Sequence, residues 1–255
     1  MNRPTKPKNR PDAPPGAVKV FLATLGGNLY IVVGSVIFGS LAILGSWLPS
    51  KGRWVFLMAR LWSRGLLASS GLRLEVSQDG SFDEARSYLF MSNHQSLYDI
   101  PALLASLPLP AFFLAKKSLF RIPIFGWALA AGGFISIDRH DRSNAKEAFA
   151  RAVKNLQQGQ STVIFPEGTR SLDGRLLPFE RGGFLMALKS DAAIAPVGIR
   201  GTLEVRRRDS WKVTPGTIRI HYGPPVETGD YSIRTRNDLA AVVRSNILQL
   251  AGLED

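Results

Sequence analysis

Apolar residues along the chain fall into two patterns, which change over near residue 70. Before that point, residues 20–48 form one run of 29 consecutive uncharged residues. As a helix this run would be about 43 Å long at 1.5 Å per residue, enough to cross a hydrocarbon core of roughly 30 Å. Gly26, Gly27 and Asn28 are positions where such a helix could break or bend. The pattern predicts a long apolar helix that contacts a membrane, either spanning it or lying in one leaflet.

A second helix is predicted directly after this run. Turn-forming residues at 49–52 precede residues 54–69, in which apolar positions recur at helical spacing. Arg53, Arg60 and Arg64 fall on one face of this helix, at spacings of seven and four. The two helices would form a hairpin in one leaflet, with the arginines toward the lipid headgroups. The alternative is that the second helix packs against a core.

The rest of the chain alternates short apolar runs with amphipathic stretches. Strands are predicted at 72–76, 88–91, 111–115, 134–138, 162–165, 194–199 and 217–221, and helices at 100–107, 124–131, 144–158, 184–189 and 236–250. The clearest helix begins at Asn144, which forms a capping box with Glu147. Alternation at these lengths predicts an α/β fold with a mixed, largely parallel sheet flanked by helices, preceded by the membrane-associated helical hairpin.

These patterns divide the chain into three segments. Residues 1–16 hold five prolines and four basic residues and are expected to be a disordered basic tail. Residues 17–70 are predicted to be a membrane-associated helical segment, and residues 71–255 an α/β domain. We expect this domain to fold without the helices. A truncation beginning near Leu72 would then be more soluble and would bind vesicles poorly.

Charge is distributed unevenly along the chain. The formal net charge is +12, and the first 64 residues hold nine Lys and Arg against a single acid. This excess surrounds a long apolar run and is not interleaved with aromatic residues. It therefore suits an anionic membrane surface and argues against a nucleic-acid partner. Ordinary solubilising charge is the alternative.

Residue types and motifs that are missing from the sequence exclude several chemistries. The chain has no cysteine, which excludes disulfides, thiolate zinc sites and a cysteine nucleophile. It has no G-x-S-x-G sequence, so a serine-hydrolase elbow has no support. Its His, Asp and Glu residues do not show metal-ligand spacing, and no metal is predicted.

The sequence NHQSLYD, residues 93–99, follows a predicted strand and holds His94 and Asp99 five residues apart. On one helix, i and i+5 lie about 140° apart, so His94 is expected in the strand-to-helix loop and Asp99 in the first turn of the next helix. Asp99 could then accept a hydrogen bond from one imidazole nitrogen and leave the other as a base. The alternative is a loop histidine beside an aspartate that only stabilises the helix N-terminus.

A second polar loop is predicted after another strand. The sequence FPEGTRS, residues 165–171, follows the apolar run 162–164. Arg170 offers a planar fork of donors suited to phosphate, and Gly168 lets the backbone approach a ligand closely.

The pairing of NHxxxxD with FPEGTRS, in this order, resembles the lysophosphatidic acid acyltransferase family of the glycerolipid acyltransferases. Two further blocks resemble the same family: GGFISIDR at 132–139 and APVGI at 195–199. The resemblance covers roughly residues 54–225. It implies that residues 71–255 are an acyltransferase domain, which moves a fatty acyl group from a thioester to the sn-2 hydroxyl of lysophosphatidic acid and gives phosphatidic acid.

The resemblance also implies roles for individual residues. His94 would be the general base, and Asp99 the residue that orients it and stabilises the imidazolium. Arg170 and a lysine, Lys116 in preference to Lys117, would hold the substrate phosphate. The remaining residues assigned to substrate binding are Arg139, Glu167, Gly168 and Thr169. Arg139 could equally pair with a neighbouring aspartate, and Glu167 would contact the glycerol or shape the loop.

The expected partners are lysophosphatidic acid, a membrane phospholipid surface, and acyl-CoA or acyl-carrier protein as co-substrate, with no other cofactor. Both donors are cytoplasmic, which implies a monotopic or single-pass membrane protein with its catalytic domain on that face. The alternatives are an acyltransferase acting on another lysophospholipid or a lyso-aminolipid, and a non-catalytic lipid-binding protein. The run Arg206, Arg207 and Arg208 is expected to be a solvated or membrane-facing loop.

Overall fold

The computed structural model describes residues 15–48, 51–138 and 141–254. Residues 1–14 of the expected disordered tail lie outside this range. The helices are α1 (Ala17–Gly45), α2 (Lys51–Ser69), α3 (Asp99–Ser106), α4 (Phe125–Ala131), α5 (Arg142–Gln157), α6 (Arg181–Ser190), α7 (Thr202–Val205) and α8 (Arg236–Ala251), with a 3₁₀ helix at Lys117–Arg121. The strands are β1 (Leu72–Gln78), β2 (Tyr88–Ser92), β3 (Ala111–Lys116), β4 (Ile135–Ile137), β5 (Ser161–Ile164), β6 (Ala193–Arg200) and β7 (Gly216–Tyr222).

The seven strands form one sheet in the order β1-β7-β6-β2-β5-β3-β4. Every neighbouring pair is parallel except β6 and β7, which run antiparallel. The prediction of a mixed, largely parallel sheet is therefore confirmed. The adjacent strands β2 and β5 are in register, with Met91 opposite Ile164. The loops that follow these two strands must consequently emerge side by side at one edge of the sheet.

Helices cover both faces of the sheet, and the side chains of β2 alternate between the two layers. Phe90 joins a core cluster built with α2 and α3, including Leu67 and Leu103. Met91 joins the opposite cluster, built with α5, α6 and α8, including Phe184. All five β2 residues are buried, as expected for a central strand of a parallel sheet. The predicted flanking helices are confirmed.

The start of α5 differs from the predicted capping box. The cap is Asp141, whose carboxylate accepts hydrogen bonds from the backbone N–H groups of Ser143 and Asn144. The Asn144 side chain instead accepts the N–H of Asp138 at 2.7 Å. Asp141 is the cap because one of its carboxylate oxygens can reach two otherwise unpaired N–H groups at the start of the helix. Asn144 already lies inside the first turn.

α1 is one continuous helix of 29 residues, and it passes through Gly26, Gly27 and Asn28 without a break. A Cβ on Gly26 would lie 2.6 Å from the carbonyl oxygen of Ser69, so glycine here allows the end of α2 to approach closely. The buried positions of α1 are all Ala or Gly, while most of its large apolar side chains are exposed. A helix that faces lipid typically has small residues on the side toward the protein and large apolar residues on the outer side. By length and composition α1 could cross a membrane.

α2 is part of the α/β core. Phe56, Leu66 and Leu67 belong to the same buried cluster as the sheet and α3, and the Arg60 guanidinium donates to the carbonyl of Leu107. α2 thus packs against a core, which was the alternative for this helix, and the expectation that the α/β domain folds without residues 17–69 stays a prediction. The outward stripe of α2 includes the exposed residues Arg53, Leu57, Leu61 and Arg64, as an interfacial helix requires.

Candidate active site

The site lies where the loops after β2 and β5 meet, and backbone hydrogen bonds join the two loops. The Ser171 N–H donates to the carbonyl oxygen of His94 at 2.8 Å. The loop after β2 is also tied to β6, because the Asn93 side chain donates to the Ile199 carbonyl at 2.9 Å and accepts the Ile199 N–H at 2.8 Å. The backbone that presents His94 is thus held by both neighbouring strands.

His94 and Asp99 stand as their spacing predicted. Asp99 is the first residue of α3, and its Oδ2 lies 2.7 Å from His94 Nδ1. The same oxygen accepts the backbone N–H groups of Gln95 and Ser96 at 2.7 and 2.8 Å. The carboxylate is fully buried. When His94 Nδ1–H donates to this acceptor, Nε2 keeps its lone pair and can receive a proton.

The His94 ring is also held by stacking. It lies parallel to the Phe165 ring at a centroid distance of 3.8 Å and an interplanar angle of 10°. The histidine side chain is 14% exposed, and it lines a cavity. Stacking fixes the plane of the imidazole while Asp99 fixes its rotation within that plane. The imidazole ring is therefore held in one orientation by the protein itself.

Glu167 holds the two loops together. Its Oε1 accepts the His94 N–H at 2.6 Å, and its Oε2 accepts the Leu177 N–H at 2.8 Å. Burial raises the pKa of Glu167 to about 7, and the two backbone hydrogen bonds offset this only in part. Both carboxylate oxygens are engaged by backbone, so of the two roles expected for Glu167 the geometry fits shaping the loop.

We expect Glu167→Gln to flatten the pH dependence of stability. Since the folded-state pKa lies above the usual value near 4.5, the folded chain keeps a proton that the unfolded chain releases. The stability from this group is present below about pH 4.5 and is lost as the pH rises toward about 7. Thermal unfolding of the solubilised protein across this range measures the slope. Glu227→Gln, which changes an exposed glutamate paired with Arg86, is the control; equal slopes in all three proteins would contradict the prediction.

A cavity of 1230 Å³ opens from His94 toward the N-terminal helices. Its polar end includes Lys116, Thr169 and Arg170, and Gly168 reaches the same wall with a φ of 73°. Its apolar wall comes from α1, α2, α3 and α4 and includes Val36, Phe38, Val55, Met58, Trp62, Leu104 and Leu129. The cavity therefore combines basic side chains beside His94 with an apolar wall to which α1 contributes.

Most of the residues predicted for the site share this cavity. Lys116, Gly168, Thr169 and Arg170 line it together with His94, while Glu167 and Asp99 support His94 from behind. Arg139 lies outside the described residues. Among the residues that the structure describes, no group of three or more His, Asp or Glu side chains could hold a metal ion.

Arg206 and Arg208 are additional cavity residues that the charge run did not indicate. The Arg208 side chain is also 42% exposed, so lining the cavity does not contradict the expectation of a solvated or membrane-facing loop. The middle residue, Arg207, is exposed and does not line the cavity. The charge run gave no sign of this difference, because alternate residues of an irregular loop can face opposite ways and their direction depends on tertiary contacts.

Comparison with known proteins gives the class of the chain. The family model described as Acyltransferase matches residues 73–200, which is half of the chain. The chain belongs to this acyltransferase family. The match begins at β1 and ends at β6, and it contains both loops that form the site.

Individual relatives carry a more specific name. The chain is 32% identical over 174 residues to a 1-acyl-sn-glycerol-3-phosphate acyltransferase of Limnanthes alba; the match covers 68% of this chain and 61% of the relative. It is 29% identical over 210 residues to the Salmonella typhimurium enzyme of that name, covering 82% and 84%. The chain thus spans about three fifths of the Limnanthes protein and most of the Salmonella one.

A solved structure has the same fold. The crystal structure of the 1-acyl-sn-glycerophosphate (LPA) acyltransferase PlsC from Thermotoga maritima superposes with a TM-score of 0.77 at 26% identity. The match covers 93% of this chain and 98% of that chain. The likeness therefore extends beyond the family model to the N-terminal helices.

Proposed function

We propose that this chain transfers a fatty acyl group from a thioester to the sn-2 hydroxyl of lysophosphatidic acid, giving phosphatidic acid. The observation that carries the proposal is that His94, paired with Asp99, lines a cavity together with basic side chains and with many apolar side chains of the N-terminal helices. An amphipathic acceptor with a phosphate and an acyl chain fits this distribution. Relatives in plants and bacteria, and the Thermotoga structure, bear the name of this activity.

The reaction needs a base because an alcohol is a poor nucleophile at neutral pH. His94 Nε2 removes the proton of the sn-2 hydroxyl as its oxygen attacks the thioester carbonyl. Asp99 stabilises the imidazolium that forms. When the tetrahedral intermediate collapses, the C–S bond breaks, the new C–O ester bond remains, and the thiolate takes the proton from the imidazolium. No acyl-enzyme and no metal enter this sequence.

The acceptor lies with its phosphate at the basic end and its hydroxyl at His94. Arg170 and Lys116 hold the phosphate, because charge-assisted hydrogen bonds to phosphate oxygens are strong and the guanidinium binds them in pairs. The apolar channel toward α1 and α2 takes an acyl chain. Exposing that chain to water would cost about 0.8 kcal/mol per methylene, so a channel beside the lipid-facing helix keeps it out of water.

The membrane side of the proposal rests on α1. This helix is long and apolar enough to cross a bilayer, and most of its large apolar side chains are exposed. We propose that the chain is monotopic or single-pass with its active site on the cytoplasmic face, where acyl-CoA and acyl-carrier protein are found. Either thioester would serve as donor, and the chemistry uses no further cofactor.

Arg170→Ala is expected to weaken binding of the acceptor and to leave binding of the thioester donor unchanged. Loss of a charge-assisted hydrogen bond amounts to roughly 1.5–3 kcal/mol, so KM for lysophosphatidic acid should rise about tenfold to a hundredfold. The matched control is Arg175→Ala in the same loop, because the Arg175 side chain is 85% exposed and does not line the cavity. A rise in KM for acyl-CoA alone would show that this loop binds the donor and would contradict the prediction.

One assay tests the proposed function directly. The full-length chain in phospholipid vesicles is supplied with radiolabelled acyl-CoA and a choice of lysophosphatidic acid, lysophosphatidylcholine or monoacylglycerol. We expect labelled phosphatidic acid as the main product. Transfer to lysophosphatidylcholine but not to lysophosphatidic acid would favour a different lyso-acceptor. Absence of transfer to every acceptor, with acyl-carrier protein as well as CoA as carrier, would favour lipid binding without catalysis.

A further inference from the structure

Three guanidinium groups converge at the polar end of the cavity. Arg170 comes from the loop after β5, whereas Arg206 and Arg208 come from the loop that follows α7. The pKa of Arg170 is lowered by its burial and then by the positive charge of Arg208, with a further contribution from Arg206. The carboxylates of Asp209, which is 88% exposed, and of Asp99 offset this lowering of the pKa only in part. The cluster therefore concentrates positive charge around one space.

The loop that carries Arg206 and Arg208 is held in place on the catalytic side. The carbonyl of Arg206 accepts the Ser96 hydroxyl at 2.7 Å, so this loop is tied directly to the segment between His94 and Asp99. The Arg206 Nε donates to the Ser210 carbonyl at 2.8 Å, and its guanidinium lies over the Trp211 ring at 5.6 Å. Arg206 is thus positioned by contacts on its own loop.

The other side of this loop is held by α1. The Thr24 hydroxyl accepts the Val213 N–H at 3.0 Å, and Asn28 Nδ2 donates to the Trp211 carbonyl at 3.2 Å. These two polar residues of a mostly apolar helix therefore hold the loop that carries Arg206 and Arg208. The helix that faces lipid and the segment that carries the base fix the same loop from opposite sides.

Like charges gathered in a partly buried space repel each other, and an anion bound among them removes that repulsion. A phosphate monoester carries close to two negative charges at neutral pH, whereas a phosphodiester headgroup carries one. Guanidinium forks bind phosphate oxygens in pairs, so several arginines can engage one monoester from different directions. The cluster thus suits a monoester better than a diester.

We propose that Arg206 and Arg208 complete, together with Arg170, the binding site for the phosphate monoester of the acceptor. The loop that carries Arg206 and Arg208 then determines the preference for lysophosphatidic acid over lysophospholipids whose phosphate is a diester. This inference rests on the proposed function, since it assigns further residues to the same acceptor.

Arg208→Gln and Arg207→Gln are the matched variants that test the site. They remove the same charge from adjacent positions of one loop, but Arg208 lines the cavity and Arg207 does not. Arg208 pairs loosely with the exposed Asp209, at 3.9 Å, so its replacement should not disturb folding. We expect KM for lysophosphatidic acid to rise about tenfold or more in Arg208→Gln and to stay within about twofold of the unsubstituted protein in Arg207→Gln.

Acceptor and donor contributions are separated by two further measurements. KM for acyl-CoA should be unchanged in Arg208→Gln, and competitive inhibition by glycerol 3-phosphate, which carries the monoester without a chain, should weaken to a similar extent. The ratio of kcat/KM for lysophosphatidic acid to kcat/KM for monoacylglycerol should fall, because monoacylglycerol has no phosphate group that Arg208 could bind. Arg206→Gln should act in the same direction.

Several outcomes would overturn the inference. Equal KM values for lysophosphatidic acid in the two glutamine variants would show that Arg208 does not bind the acceptor phosphate. A rise in KM for acyl-CoA alone would show that the arginines bind the phosphates of the donor. Inactivity of the unsubstituted protein toward lysophosphatidic acid would instead refute the proposed function. The two failures are thus distinguishable in one set of assays.

Discussion

Replacing His94 by alanine should lower kcat by about 10²–10⁴, the usual contribution of a general base. The reason is the geometry of its ring, which is held by Asp99 at 2.7 Å and by stacking on Phe165 at 3.8 Å. A ring oriented this way removes the hydroxyl proton without first being ordered, and alanine offers no replacement. Initial rates with saturating lysophosphatidic acid and acyl-CoA measure the effect.

The control for this variant is His221→Ala. His221 also pairs with an aspartate, its Nε2 lying 2.8 Å from Asp79 Oδ2, but it does not line the cavity. We expect His221→Ala to keep near-normal turnover. Both variants should bind vesicles as the unsubstituted protein does, since α1 is untouched. A folded, vesicle-bound His94→Ala protein with normal turnover would remove this histidine from the mechanism.

Asp99→Asn should lower kcat by up to about 10⁴, the loss seen when the corresponding aspartate of a serine-protease triad becomes asparagine. Asp99 Oδ2 accepts His94 Nδ1 and two backbone N–H groups, so the loop geometry depends on an oxygen that asparagine can still supply. The negative charge is lost, and with it the stabilisation of the imidazolium. An asparagine NH₂ facing the ring would also favour the wrong tautomer.

The effect of Asp99→Asn should fall on kcat, with KM for both substrates changed little. Asp79→Asn is the matched control, because it alters a histidine-paired aspartate outside the cavity. A change confined to KM would make Asp99 a binding or structural residue.

The residues of the candidate site that the sequence already places near one another are local in the chain. His94 and Asp99 lie five residues apart, and a strand, a loop and a helix start are enough to bring them together. Gly168 and Arg170 likewise belong to one short loop after one strand. For such groups the backbone geometry of the element limits where the side chains can go.

The features that the sequence did not predict depend on contacts between distant segments of the chain. The sequence of α2 is typical of an interfacial helix because it has a basic stripe, but the opposite face of α2 packs in the core of the α/β domain. The charge run did not show that Arg206 and Arg208 line the cavity, because their loop is held there by hydrogen bonds with Ser96, Thr24 and Asn28. A pattern of residue types does not say which of two faces meets a partner.

By itself, the sequence determined the alternation of strands and helices, the long apolar helix, and the pairing of a histidine with an aspartate. Each follows from hydrophobic periodicity or from short-range geometry, which act within a few residues. Only the tertiary structure decided that Glu167 bonds to the His94 backbone across 73 residues, and that α1 and the loop after α7 share one cavity with the base. The physical reason is that these contacts depend on strand order and on the packing of helices over the sheet, which are properties of the whole chain.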